Sequence, residues 1–424
     1  VSSPESAPDT MPVDDTSSPA HPEPAPVPLL APRDGFAGPL TDPLKLHQLA
    51  EKLAAGSGPV ALDAERASGF RYSPRAYLVQ LRRADVGTVL LDPIALGDLA
   101  PLNAPLRDTE WVLHAASQDL PCLADAGMHP SRLFDTELAG RLAGLPRVGL
   151  GPLVEQMLGL TLEKGHGAAD WSTRPLPDSW LTYAALDVEV LVELRDVMAE
   201  ELRRQGKLDW ALEEFAAIVA APPSPPRVDP WRRTSGIHKI RNRRALAVIR
   251  ELWQSRDQMA TDRDIAPHRI LPDTAIVAGA TAMPNSIDEL VALPVFSGRM
   301  QRRQAPRWLA AINRARQLPD SALPPATLEV EGPPPASRWK EKNPEAAARL
   351  TVVREALTAL SEQVSVPLEN LVSPDLVRRI CWADTARDEV ADRLRLGGAR
   401  NWQVELTSEI IVDALDRAGR PPAS

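Results

Sequence analysis

Asp63 and Glu65 stand two residues apart at the end of a short apolar run, Pro59-Val60-Ala61-Leu62. Such a run reads as a buried strand, and residues two apart on a strand share a face. Both carboxylates therefore point the same way, with Ala64 turned to the other side. Two anions held that close repel each other unless a cation lies between them. Taken alone, the pair also fits a strand end frayed into water. More acids arrive further on. Ser117 can cap a short helix with Asp119 in its first turn, just beyond an apolar run at 110–114. Asp187 follows Tyr183 by four residues on a later helix, which puts both on one side of it. Taken alone, that Asp also fits a helix surface beside a half-buried Tyr.

The elements that must carry these side chains form a mixed α/β plan. The strand-like runs at 60–65, 76–81 and 87–92 are joined by short links, so they pair antiparallel. Beyond residue 92 strands alternate with helices, and ligand sites in such sheets gather where strands hand over to helices. A long helix is expected from Asp178 or Ser179, carrying Trp180, Tyr183, Leu186, Asp187, Val190, Leu191 and Leu194. Trp171 and Trp180 read as core. Residues 1–38 are acidic and rich in Pro, Ser and Ala, which predicts a disordered tail. Pro-rich stretches at 222–230 and 317–337 read as linkers. They divide the chain into 39–221, 231–316 and 338–424, the last two helical throughout.

Read together, Leu62-Asp63-Ala64-Glu65, His114 to Leu120, Phe134-Asp135-Thr136, Asp170-Trp171-Ser172-Thr173-Arg174-Pro175-Leu176 and Tyr183-Ala184-Ala185-Leu186-Asp187 resemble ribonuclease D, a DEDD-type 3′–5′ exonuclease family. The last segment matches the family's Tyr-x-x-x-Asp motif. Residues 231–316 are similar to the helicase-and-RNase-D C-terminal (HRDC) domain, and 338–424 faintly to a second HRDC-like domain. The resemblance implies an α/β fold with a ribonuclease H-like mixed sheet flanked by helices, followed by two all-α domains. It also implies that Asp63, Glu65, Asp119 and Asp187 bind two divalent ions, Mg²⁺ or Mn²⁺, with Asp63 bridging. Oxygen-only ligands suit such hard ions, and paired ions about 3.5–4 Å apart activate water and steady the leaving oxygen. Tyr183 would orient the attacking water. Two departures flank the ligands and bear on substrate contacts: Ala64 where the family often has Thr, and Arg66 where an aromatic is common.

The expected reaction is therefore stepwise hydrolysis of phosphodiesters at RNA 3′ ends, with transfer-RNA precursors as the expected substrates. A DNA exonuclease of the same fold and a catalytically inert nucleic-acid-binding protein are the alternatives. His114, Lys164 and Arg174 are candidate nucleic-acid contacts near the site; His166 is a weaker one. Arg232, Arg233, Lys239, Arg241, Arg243 and Arg244 form a basic stretch beside Trp231 that could follow a phosphate backbone. It also fits a solvated helix face.

The totals agree with this. With 44% hydrophobic and 25% charged residues, the 424-residue chain has an ordinary globular composition and room for several domains. Its net charge of -9 supplies no global field for a polyanion, so local basic patches or bound metal must do so. Cys122 and Cys381 lie too far apart in sequence to suggest a disulfide framework or a metal knuckle. No apolar span or signal-like leader stands out. A cytoplasmic monomer without an organic cofactor is expected.

Overall fold

The computed structural model describes residues 25–163, 165–223, 225–327 and 332–418. A five-stranded sheet forms the first part, in the order β4-β3-β2-β5-β6. Its strands are β2 (Val60–Arg66), β3 (Ala76–Arg83), β4 (Gly87–Leu91), β5 (Glu110–Leu113) and β6 (Arg132–Asp135). The first three pair antiparallel, whereas β5 and β6 join in parallel, so the meander followed by alternation is what the chain builds. β2 lies at the centre, and Val60, Ala61 and Leu62 are fully buried. That burial fixes the register and with it the face on which the acids emerge.

Helices cover both sides of the sheet. The expected long helix is two helices, Asp178–Glu189 and Leu191–Arg204, with Val190 between them at φ -104° and ψ -6°. The first lies along β2, β3 and β4, and the second packs against β5 and β2. Leu191 and Leu194 therefore belong to a different helix from Tyr183. The buried Glu189 carboxylate anchors the break, 3.1 Å from Arg82 and accepting the Arg33 backbone N–H.

The predicted tail also departs from expectation. Its first 24 residues lie outside those described, but β1 (Val27–Leu29) pairs in parallel with β7 (Leu160–Leu162). Arg33 bonds to Glu193, Asp34 pairs with Arg82 at 2.8 Å, and Phe36 bridges to Thr88. Leu29 and Phe36 pack against buried clusters, and the backbone pairing of Val27–Leu29 adds to them in holding residues 27–36 against the sheet domain.

Two helical units follow with matching element lengths. Arg243–Arg263 and Pro344–Val364 are both 21 residues long, and Asp273–Ala282 and Pro374–Ala383 both 10. Left-handed residues close these helices at the same places, Asp264 and Met283 in one unit and Ser365 and Asp384 in the other. In the first unit the opening helix runs unbroken over Arg243–Arg263, and a further long helix spans Arg299–Gln317.

Both units lean on the sheet domain through the turn that ends their first helix. Asp264 accepts the Ser73 N–H at 2.8 Å and the Tyr77 hydroxyl at 3.2 Å. In the second unit, the Ser365 carbonyl meets Gly144 and accepts from Lys207 Nζ at 3.4 Å. A Cβ on Gly144 would fall 2.5 Å from that carbonyl, and its φ is +76°, so glycine is required twice over. Trp402 stacks on Trp210 at 5.0 Å, and one apolar core runs from the sheet domain into this unit. The first helical unit has a core of its own. Among the described residues, no helix is long and apolar enough to cross a membrane.

Candidate active site

The strand parity that puts Asp63 and Glu65 on one face brings them opposite the Asp178–Glu189 helix. Asp63, Glu65 and Asp187 each place one carboxylate oxygen within 4.8 Å of the others. Asp119 and Tyr183 line the same cavity, whose volume is about 550 Å³. The five residues expected to act together are thus gathered in one place.

Asp119 is held by local geometry that differs from the expected cap. Ala115 adopts φ 58°, a single 3₁₀ turn spans Ala116–Gln118, and Asp119 itself begins the Leu120–Asp125 helix. Asp135, at the end of β6, fixes this turn. Its carboxylate accepts the N–H groups of Ala115 and Ala116 at 3.1 and 2.9 Å, and also those of Glu137 and Leu138. One buried acid thereby caps its own helix and aims another acid into the cavity.

Gln80, fully buried on β3, stands opposite Asp63 in register and donates from Nε2 to Asp63 Oδ2 at 2.7 Å. Sequence reasoning assigned it no role. The available signal was a lone amide in Ala76-Tyr77-Leu78-Val79-Gln80-Leu81. Glu137 and Arg66 also line the cavity. Tyr183 stands in an aromatic nest, 5.7 Å from the His166 ring and 6.5 Å from that of Trp171, and the loop at Gly167 approaches its hydroxyl.

Crowding acids in a buried place disfavours their charged forms. Burial, reinforced by Asp63, Asp187 and Asp119, pushes the Glu65 carboxyl up to about 9. Burial and the nearby Asp63 push Asp119 up to about 8. Asp63 and Asp187 are raised as well, chiefly by burial. Arg66 opposes the shift at Asp63, Glu65 and Asp119. Burial and three of the acids likewise raise the Tyr183 phenol, so it stays protonated and is a hydrogen-bond donor rather than a base. A group of oxygen donors this dense and this reluctant to ionise together suits hard divalent cations.

The candidate contacts to nucleic acid fare unevenly. His114 lines the cavity with Nδ1 2.9 Å from the Thr136 hydroxyl, and burial lowers it to about 4, so the ring is neutral. Arg174 is not available. All its donor nitrogens are engaged: Nε and Nη2 on Asp92, Nη2 also on the Tyr77 carbonyl, and Nη1 on the carbonyls of Trp171 and Thr173. It ties the loop before the Tyr183 helix to β3 and the end of β4. In the basic stretch, Arg232, Arg243 and Arg244 hold down residues 315–325. Arg232 reaches the Pro325 carbonyl, Arg243 those of Asp320, Leu323 and Pro324, and Arg244 those of Ala315, Arg316 and Leu318. Arg233, Lys239 and Arg241 remain exposed. Lys164 lies outside the described residues.

A mixed sheet carrying a carboxylate cluster at its central strand suits metal-assisted hydrolysis, and comparison with known proteins gives the class as a hydrolytic 3′–5′ exonuclease. Residues 39–203 match the 3′-5′ exonuclease family model, residues 245–312 the HRDC domain, and residues 332–415 the 3′ to 5′ exonuclease C-terminal domain. The chain belongs to the ribonuclease D family. It is 36% identical over 286 residues to ribonuclease D of Gluconacetobacter diazotrophicus, covering 65% of this chain and 72% of that one. Identity to the Escherichia coli ribonuclease D is 32% over 281 residues, 64% of this chain and 73% of the other. Among solved structures, a protein from Bifidobacterium adolescentis superposes with a TM-score of 0.86 at 39% identity, covering 92% of this chain and all of that one. The E. coli RNase D structure, described as an exoribonuclease involved in structured RNA processing, gives 0.67 at 27% identity over 90% of this chain and 99% of that one.

Proposed function

We propose that this protein is a divalent-metal-dependent exoribonuclease that trims structured RNA from the 3′ end, transfer-RNA precursors among its substrates. The observation that carries this reading is the convergence of Asp63, Glu65 and Asp187 within 4.8 Å, with Asp119 in the same cavity. These four carboxylates would hold two Mg²⁺ or Mn²⁺ ions. Bound there, the ions would supply an activated water and charge stabilisation at the leaving oxygen.

The chain's own residues do the rest. Gln80 keeps Asp63 in place by its hydrogen bond, and Asp135 does the same for the turn that carries Asp119. Tyr183, protonated, hydrogen-bonded to Asp187 and set among aromatic rings, would turn its hydroxyl to position the attacking water. The Thr136 hydroxyl donates to the Leu113 carbonyl and so accepts from His114 Nδ1–H. That leaves the Nε2 lone pair as an acceptor suited to a ribose hydroxyl rather than to a phosphate.

The boundaries 39–221, 231–316 and 338–424 serve as a working division into a catalytic domain and two helical domains. The first helical unit carries a large excess of Arg and Lys over Asp and Glu, whereas the second is slightly acidic. Arg233, Lys239 and Arg241 are accordingly assigned to RNA and the second unit to bracing. A cytoplasmic monomer completes the reading.

The test is digestion of 5′-labelled single-stranded RNA and DNA with Mg²⁺, Mn²⁺ or EDTA. Products shortening from the 3′ end on RNA, and abolished by EDTA, are expected. Equal action on DNA, or binding without cleavage under every condition, would overturn the assignment.

A further inference from the structure

Arg66 occupies a position that simple strand alternation would turn away from the acids. Glu65 and Arg66 are neighbours, so a regular strand would send them to opposite faces. The pairing shifts at this point: Glu65 lies opposite Leu78 and Arg66 opposite Ala76, with Tyr77 left over on β3. Leu78 and Ala76 share one face of β3, and opposed residues share a face across the pair. The bulge therefore carries Arg66 round to the side of Glu65, a common use of such irregularities. The side chain bears this out: its guanidinium reaches toward the Asp119 carboxylate, and both residues border the cavity.

The guanidinium there holds only a long ion pair. Its nearest acid is Asp119, with Nη2 3.7 Å from Oδ1, too far for a hydrogen bond. Among the described residues it donates no side-chain hydrogen bond, whereas Arg174 and Arg83 in the same domain spend their donors on carbonyls and acids. It is also the one cation among the described lining residues, set against Asp63, Glu65, Asp119, Glu137 and Asp187. A planar fork of free donors beside a carboxylate cluster matches one class of ligand, a phosphate oxygen pair.

We propose that Arg66 has two tasks in this cavity: it binds a non-bridging oxygen of the substrate's terminal phosphodiester, and before substrate arrives it stands as a positive charge beside the acids that would hold the metal. The proposal rests on the metal-dependent nuclease reading. It assigns a substrate contact to the position where this chain departs from the aromatic common in its family.

The experiment compares the full-length chain with Arg66→Ala and Arg66→Lys in two measurements. Calorimetric titration with Mn²⁺ in the absence of RNA reads the charge task. Removing a positive charge from the cluster should tighten Mn²⁺ several-fold in Arg66→Ala and leave Arg66→Lys near the unsubstituted chain. Kinetics on 5′-labelled RNA at saturating Mg²⁺ reads the phosphate task. KM should rise about tenfold in Arg66→Ala with kcat little changed, and Arg66→Lys should fall between the two. An unchanged KM would overturn the proposal, as would a raised KM accompanied by weaker Mn²⁺ binding, the mark of a merely disturbed site. Hydrolysis by the unsubstituted chain that ignores EDTA would instead overturn the metal-dependent reading, and it is seen without any variant.

Discussion

Gln80 and Asp63 face each other across β3 and β2, and the amide nitrogen of the first lies 2.7 Å from a carboxylate oxygen of the second. Because the donor is an uncharged amide, it orients the acid without supplying a competing positive charge. Were Asp63 to hold a metal, a partner in this position would fix the ligand's orientation. Gln80→Leu should raise the Mg²⁺ concentration needed for half-maximal activity by about 10–100-fold. A Mg²⁺ activation curve checks this, and an unshifted midpoint would show that Asp63 holds its orientation unaided.

Asp187→Asn keeps the shape of its side chain but weakens the carboxylate cluster. Hydrolysis should fall to the level of the EDTA control, while RNA affinity, measured by fluorescence anisotropy, stays nearly unchanged. Turnover like that of the unsubstituted chain would remove Asp187 from the site.

Tyr183→Phe removes one hydroxyl and leaves the aromatic nest filled. If that hydroxyl positions water, kcat should drop by about 10²-fold with little change in KM. Rapid-quench measurement of kcat separates this from a binding defect; a changed KM with kcat intact would assign Tyr183 to substrate binding.

The raised acids make a statement about stability. Glu65 at about 9 and Asp119 at about 8 hold protons that they would release on unfolding at neutral pH. The metal-free folded state therefore binds more protons than the unfolded one. This contribution is fully present below the ordinary carboxylate range near 4 and is lost as pH rises toward 9. Metal competes with those protons, so Mg²⁺ should raise Tm more at pH 9 than at pH 6. Thermal unfolding with and without Mg²⁺ at the two pH values gives the answer, and the reverse order would contradict the shifts.

Asp264 joins the first helical unit to the sheet domain by accepting from Ser73 N and the Tyr77 hydroxyl. Asp264→Ala should destabilise that junction by about 1–3 kcal/mol. Asp264→Asn keeps an acceptor and tolerates the left-handed φ of 48°, so it should lose less. Urea unfolding ranks the two, and equal losses would mean that the hydrogen bonds are immaterial.

Much of the carboxylate cluster was legible in the sequence because it obeys local periodicity. Two residues apart on a strand fixed Asp63 with Glu65, and four apart on a helix fixed Tyr183 with Asp187. What escaped depends on partners distant in sequence. Arg174 looks like a free cation until Asp92, 82 positions away, closes on it. Gln80 acquires its role only from the register of β2 on β3, and Arg66 its direction from a bulge in the same pair. The strand at Val27–Leu29 is too short to announce itself and is completed by Leu160–Leu162. The division of the long helix at Val190 likewise serves a change of packing partner that periodicity does not encode.

The two helical units both fasten to their neighbour by the corner that closes their opening helix. The second adds to that corner an apolar core shared with the sheet domain and the Trp210–Trp402 stack, whereas the first keeps its core to itself. The outward residues of the first unit are thus under little obligation to the rest of the molecule, and it is free to become basic without losing its seat.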